Sequence, residues 1–170
     1  MTARGNNKPL TIEDNINNHL SGDAKELALD FVDYLRSNGM PIERNVFWER
    51  GNFWFANYKG TEAVCFMLVD GDAEKPGSWE IFTGENEDSA PACFTNDEKL
   101  KEAAWKHVNF CGGTDCGGSC SPGTRKTILG KEFDYVCGSA MAFQNPDAET
   151  LGYVKKLMTL TVNTIGSLHA

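Results

Sequence analysis

The sequence predicts an α+β domain: an antiparallel β-meander with N- and C-terminal helices packed on it, and a Cys-rich loop before the terminal β-segment. Three observations predict it. Helical apolar periodicity marks both ends of the chain. Between them, "NVFWERGNFWFANYKGTEAVCFMLVDG" strings β-branched and aromatic residues into short runs broken at Arg50-Gly51-Asn52 and Lys59-Gly60. Helices that flank a run of strands, rather than alternate with them, favour an antiparallel sheet with helices laid over it.

Each element follows from local chemistry. Residues 1–10 are polar and aperiodic, a flexible lead-in to a single domain over 11–170. A short helix is expected over 11–20 with Thr11 as N-cap. A stronger one follows, capped by Asp23 with Glu26 three residues on, carrying Leu27, Phe31, Tyr34 and Leu35 on one face. Gly39 and Pro41 end it. Strands are expected over 44–49, 53–58 and 63–69, and a fourth, "WEIFT", after the polar loop "DGDAEKPGS". The acidic loop "GENEDSAP" comes next. Thr95-Asn-Asp-Glu98 has the form of a capping box and opens a helix to Val108, with Leu100, Ala104 and Val108 aligned. Short strands near 126–130 and 139–143 precede a final helix, capped by Asn145 with Pro146 in its first turn. Its apolar stripe is Leu151, Val154, Met158, Thr161/Val162 and Ile165.

The 170 residues are 41% hydrophobic and 24% charged, ordinary for a globular domain with a real core. A formal charge of −8 argues against nucleic-acid or membrane-surface binding, which calls for a basic patch. No apolar run approaches the ~20 residues of a membrane span. The first twenty residues hold no signal-like apolar stretch, so a cytoplasmic location is expected. A small molecule or another protein is the expected kind of partner.

Six cysteines in a reducing compartment do not suggest a disulfide framework, and four of them lie between 111 and 137. Their spacing is Cys111-x4-Cys116-x3-Cys120-x16-Cys137, with glycines filling the gaps. Sulfurs on a glycine-rich loop plus one from a distant strand can converge on a tetrahedral ion, because glycine lets the backbone fold tightly around it. A structural zinc held by these four is the leading expectation, with Arg125, Lys126 and Lys131 downstream to offset thiolate charge. The spacing matches no paired Cys-x2-Cys knuckle, so alternatives stay open. They are an iron–sulfur cluster, a redox-active thiol pair, or small buried cysteines in a tight loop. His107, one helical turn before Cys111, is a possible substitute ligand, though an ordinary helix C-terminal histidine is the simpler account. Cys65, inside "AVCFMLV", belongs in the core, and Cys93 in a loop.

Phe47, Trp48, Phe53, Trp54, Phe55 and Tyr58 occupy both parities of neighbouring strands, so both sheet faces must be covered or one must line a cavity. A thick core is the plainer expectation; if a small ligand binds away from the cysteines, Trp48, Trp54 and Trp79 are the candidate contacts. No nucleophile elbow, Walker loop, dinucleotide fingerprint or His-Glu-x-x-His motif is present. His19 and His169 lie near the termini, no catalytic residue is nominated, and a non-enzymatic role is expected.

With "CSPGTRKTILGKEFDYVC" and "FQNPDAETLGYVKKL" in view, the chain resembles a group of small uncharacterised bacterial cytosolic proteins. They share a similar Cys-loop, a Gly-Lys-Glu-Phe-Asp segment ending in Cys, and an Asn-Pro-Asp-Ala helix start. The likeness spans roughly residues 24–160. It implies one bacterial domain whose cysteine loop belongs with its C-terminal part, and it implies no activity.

Overall fold

The structure, a computed structural model, describes residues 10–44, 52–60, 63–70, 76–83, 95–112 and 122–168. Among them are four helices and seven strands: α1 (Ile12–His19), α2 (Gly22–Ser37), β1 (Ile42–Arg44), β2 (Asn52–Asn57), β3 (Ala63–Val69), β4 (Trp79–Thr83), α3 (Glu98–Lys106), β5 (Val108–Phe110), β6 (Thr124–Ile128), β7 (Lys131–Gln144) and α4 (Ala148–Leu168). All pairings are antiparallel, in the order β1-β2-β3-β4-β7-β5, with β6 also on β7. The fold is the expected α+β arrangement.

The helices begin and end where backbone groups find partners. Thr11 caps α1 reciprocally: Asp14 N–H donates to its Oγ1 and its own N–H donates to Asp14 Oδ2, both at 3.1 Å. Helix α2 starts after Ser21 rather than at an Asp23 cap; Asp23 lies in its first turn, where a carboxylate suits the positive end of the helix dipole. Asn38 closes α2, and Gly39 follows at φ 73°, a left-handed turn that glycine takes without strain. The cap of α3 is Asp97, whose Oδ1 accepts the Leu100 N–H at 3.1 Å; Thr95 instead accepts the Asp97 N–H. That helix stops at Lys106, and Val108 belongs to β5. Asp147, not Asn145, caps α4 through the Thr150 N–H at 2.8 Å.

The first three strands differ from expectation only at the front. Strand β1 is Ile42–Arg44, whereas the expected strand over 44–49 falls mainly on residues outside those described. At the other end, the two short strands expected near 126–130 and 139–143 are a tight hairpin of β6 and a 14-residue β7, turned at Leu129-Gly130. Leu129 and Gly130 both take positive φ, 46° and 84°. This is the backbone sign of the turns that suit a twisted hairpin.

Register sorts the sheet into two faces. Trp54, Met67, Ile81 and Phe143 align across β2-β3-β4-β7, are all buried, and join the helices in one core. Helices α1 and α4 lie against β3, α2 against α1 and α4, and α3 against α4. Phe31, Leu35, Leu151 and Leu157 are fully buried there. Cys65 shares this face, as expected, and burial pushes its thiol pKa up to about 12. On the opposite face Phe66 stacks with Phe55 and Phe82, at ring-centroid distances of 5.4 and 4.6 Å, and leans on Phe53 at 5.8 Å. The aromatics of both parities therefore form two separate apolar layers. Tyr34 ties α2 to α4 by donating to the Lys155 carbonyl at 2.7 Å.

Phe143 is fully buried at the junction of β4, β7 and the His107 ring, whose centroid lies 4.6 Å from its own. Phe143→Ala should lower the unfolding free energy by about 3–5 kcal/mol, read as a shift in urea midpoint at unchanged m.

Candidate functional site

The candidate site is built on the ladders around the middle of β7. Val136 has two ladder partners, Phe110 of β5 and Thr124 of β6. One step on, the Cys111 N–H donates to the Tyr135 carbonyl at 2.7 Å. Cys137 lies two residues beyond Tyr135 on β7, in the stretch between Val136 and Met141 where the β5–β7 register shifts. The Cys111 and Cys137 side chains are half-buried, and both remain thiols.

Tyr135 sits at φ 58°, a conformation that bulky residues rarely adopt, and the β5–β7 register shifts between Val108 and Phe110. The break lets β7 change neighbours along its length. Gly123 closes the arrangement. A Cβ there would stand 2.6 Å from the Tyr135 carbonyl and 2.7 Å from the Cys111 Cβ, closer than real carbon atoms come. Only a glycine lets the chain return onto Cys111 at this point.

The three basic residues have definite places. Lys126 Nζ donates to the Gly138 carbonyl at 2.8 Å, immediately beside Cys137. Arg125 pairs with Asp134 at 2.7 Å, and Lys131 lies 5.0 Å from the Trp105 ring centroid. Lys126 is thus bound to the backbone of the residue that follows Cys137. Phe110 and Tyr135, on either side of Cys111 in the ladder, are 57% and 73% exposed, the most exposed large apolar side chains among the described residues.

His107 ends α3 as its C-cap, half-buried with its ring against Phe143. Burial pushes its imidazole pKa below the ordinary value, against the Ala142 backbone hydrogen bond and the Asp147 carboxylate, which favour the charged form.

Of the four sequence-nominated ligands, Cys111 directly follows β5 and Cys137 lies on β7, the strand that β5 pairs with; Cys116 and Cys120 lie outside the described residues, as do Cys93 and Trp48. Among the described residues no group of three or more His, Cys, Asp or Glu gathers as a metal site. Trp54 is in the core, 3% exposed. Trp79 is equally buried but forms part of the wall of a cleft of about 710 Å³, where the starts of α2 and α4 meet the turn before β4. Asn145, read from sequence as a helix cap, instead clamps Trp79: its Oδ1 accepts the Trp79 N–H at 2.9 Å and its N–H donates to the Trp79 carbonyl at 2.8 Å. It does so at φ 43°, and asparagine is among the few non-glycine residues that visit this region readily. Gly123 and Asn145 are the positions that sequence reasoning missed; the Pro122-Gly123 and Asn145-Pro146 pairs were their signals.

No helix among the described residues is long and apolar enough to cross a membrane. Comparison of the chain with models of protein families, with curated proteins and with solved structures finds no match.

Two outcomes test this geometry. Gly123→Ala should destabilise the protein by about 1–3 kcal/mol through overpacking against Tyr135 and Cys111, measured by chemical denaturation. As pH falls through the ordinary histidine range, the unfolded chain takes up a proton that folded His107 still refuses, so stability falls with pH across that window. The stability–pH slope should be shallower in His107→Asn than in the wild-type chain.

Proposed function

We propose that this chain is a non-catalytic cytosolic domain of bacterial type in which a structural zinc, held by Cys111, Cys116, Cys120 and Cys137, staples the segment before β6 to β7. The observation that carries the proposal is the Cys111–Tyr135 backbone hydrogen bond, which ties Cys111 to β7 two residues before Cys137, with Gly123 returning the chain onto Cys111. Cys116 and Cys120, which lie in the sequence between Cys111 and Gly123, are the remaining thiols of the set. The chemistry of the donors fits a closed tetrahedral thiolate site, which needs no open position and performs no reaction. The Lys126 ammonium beside Cys137 supports it further, since four thiolates around one dication leave excess negative charge. Bound metal would contribute its binding free energy to folding. Partner binding is the wider role this supports, with Phe110 and Tyr135 beside the site as exposed contacts.

Elemental analysis of protein purified with neither added metal nor chelator tests the proposal, and one zinc per chain is expected. Cys137→Ser should lose the metal and lower Tm by about 10 °C or more. Iron with visible absorbance would move the same cysteines to redox chemistry. A metal-free chain, or full zinc content and unchanged Tm in Cys137→Ser, would overturn the ligand set.

A further inference from the structure

Among the described residues β1 and β5 end the sheet, and β6 pairs on one side only; their open edges are built differently. The β1 edge is protected in the usual way, since Pro41 precedes it and Glu43 and Arg44 are exposed on it. The β6 edge carries Arg125 and Lys126. The β5 edge has neither charge nor proline: its residues are Val108, Asn109 and Phe110, and Phe110 is 57% exposed. Proteins ordinarily avoid an uncharged edge with an exposed aromatic, because it invites another strand.

The backbone of β5 is turned to receive one. The His107 carbonyl accepts the Ala142 N–H at 2.9 Å, and the Cys111 N–H donates to the Tyr135 carbonyl at 2.7 Å, so residues 107 and 111 face β7. Backbone groups alternate along a strand, so Asn109 also faces β7, and Val108 and Phe110 turn their N–H and C=O outward. Charge then selects the partner. Lys106 lies two residues before β5, and Arg125, Lys126 and Lys131 lie on the β6–β7 hairpin against Glu132 and Asp134. Asp134 is already paired with Arg125. Lys131 stands 5.2 Å from the Phe133 ring centroid, which lies 6.2 Å from that of Phe110. In a chain of formal charge −8, this is a local positive field beside an exposed aromatic. Two copies joined through β5 would bring like fields together, and a nucleic acid has no strand to meet the outward backbone groups.

We propose that β5 is a docking edge, to which an extended acidic segment of another protein adds as a further strand. Val108 and Phe110 supply the backbone hydrogen bonds, the Phe110 ring packs on an apolar side chain of the incoming segment, and the neighbouring lysines attract its carboxylates. The inference rests on the partner-binding part of the reading above and not on its metal.

The probe is the peptide acetyl-Glu-Val-Glu-Val-Glu-Val-amide, titrated at low ionic strength into the full chain as purified. Backbone amide shifts are the readout, and metal content is measured on the same sample. Saturable shifts centred on Val108, Asn109 and Phe110 are expected. A charge-reversed peptide with Lys for Glu, and one with proline at its central residues, should each bind about tenfold more weakly. Phe110→Ala should weaken the acidic peptide about fivefold to tenfold with Tm unchanged, because the side chain is mostly exposed. Equal affinity for either control peptide, unchanged affinity in Phe110→Ala, tighter binding of octathymidylate at those amides, or no saturable shift at about 2 mM would each overturn the proposal. A metal-free sample that binds the peptide would sink the zinc and leave the docking edge standing; a zinc-loaded sample that fails to bind would do the reverse.

Discussion

The structure depends on a single backbone constraint: β7 must satisfy its N–H and C=O groups against three different strands. It pairs with β6 at its start, with β5 through its middle and with β4 at its end. Buried backbone polar groups left unpaired are costly, so a 14-residue strand in the interior of a sheet needs partners along its whole length. No single neighbour is long enough. The strand therefore changes partners, and register shifts and the positive φ of Tyr135 absorb the mismatch. Everything of chemical interest hangs from this strand: Cys137, the Gly138 carbonyl that anchors Lys126, Phe143 beneath His107, and the chain that leads into the Asn145 clamp.

The meander and the helices were legible because they rest on local chemistry. "WEIFT" and "AVCFMLV" carry their strand character in their own composition, and Thr11 with Asp14 makes a cap within four residues. The cap residues of α3 and α4 were misplaced by two positions each, since several Thr, Asn and Asp residues compete there and only the first-turn geometry chooses among them. β5 was illegible. It is three residues long, directly follows α3, and exists because β7 offers an edge to pair with. Likewise the turn at Leu129-Gly130 holds neither Asn-Gly nor Asp-Gly, so one continuous hairpin looked like two separated strands.

The candidate site was legible in its residue types and not in its convergence. Sixteen residues between Cys120 and Cys137 could place that last thiol anywhere, and only the bond from Cys111 to Tyr135 ties the first cysteine to the strand that carries the last. The aromatics raised a choice between a thick core and a cavity. Register answers it with two layers: Trp54 faces the helices, while Phe53, Phe55, Phe66 and Phe82 face away. Trp79 was singled out for its chemistry alone. Its relation to Asp23, Glu26 and Asp147 follows from where the starts of α2 and α4 fall, which composition does not encode.

The pairing of β4 with β7 also sets an order of events. Glu80 and Gln144 share a rung although about sixty residues separate them in the chain. The hairpins β2–β3 and β6–β7 close over short connections and can form by local search, whereas this rung must await a long loop and is a slow kind of contact to make. On a ribosome, β4 emerges well before β7. During that interval the nascent chain holds a half-built sheet in which β4 is left as an additional open edge, a template for unwanted strand pairing. Timely arrival of the last third of the polypeptide thus governs solubility during synthesis as well as the final stability of the fold.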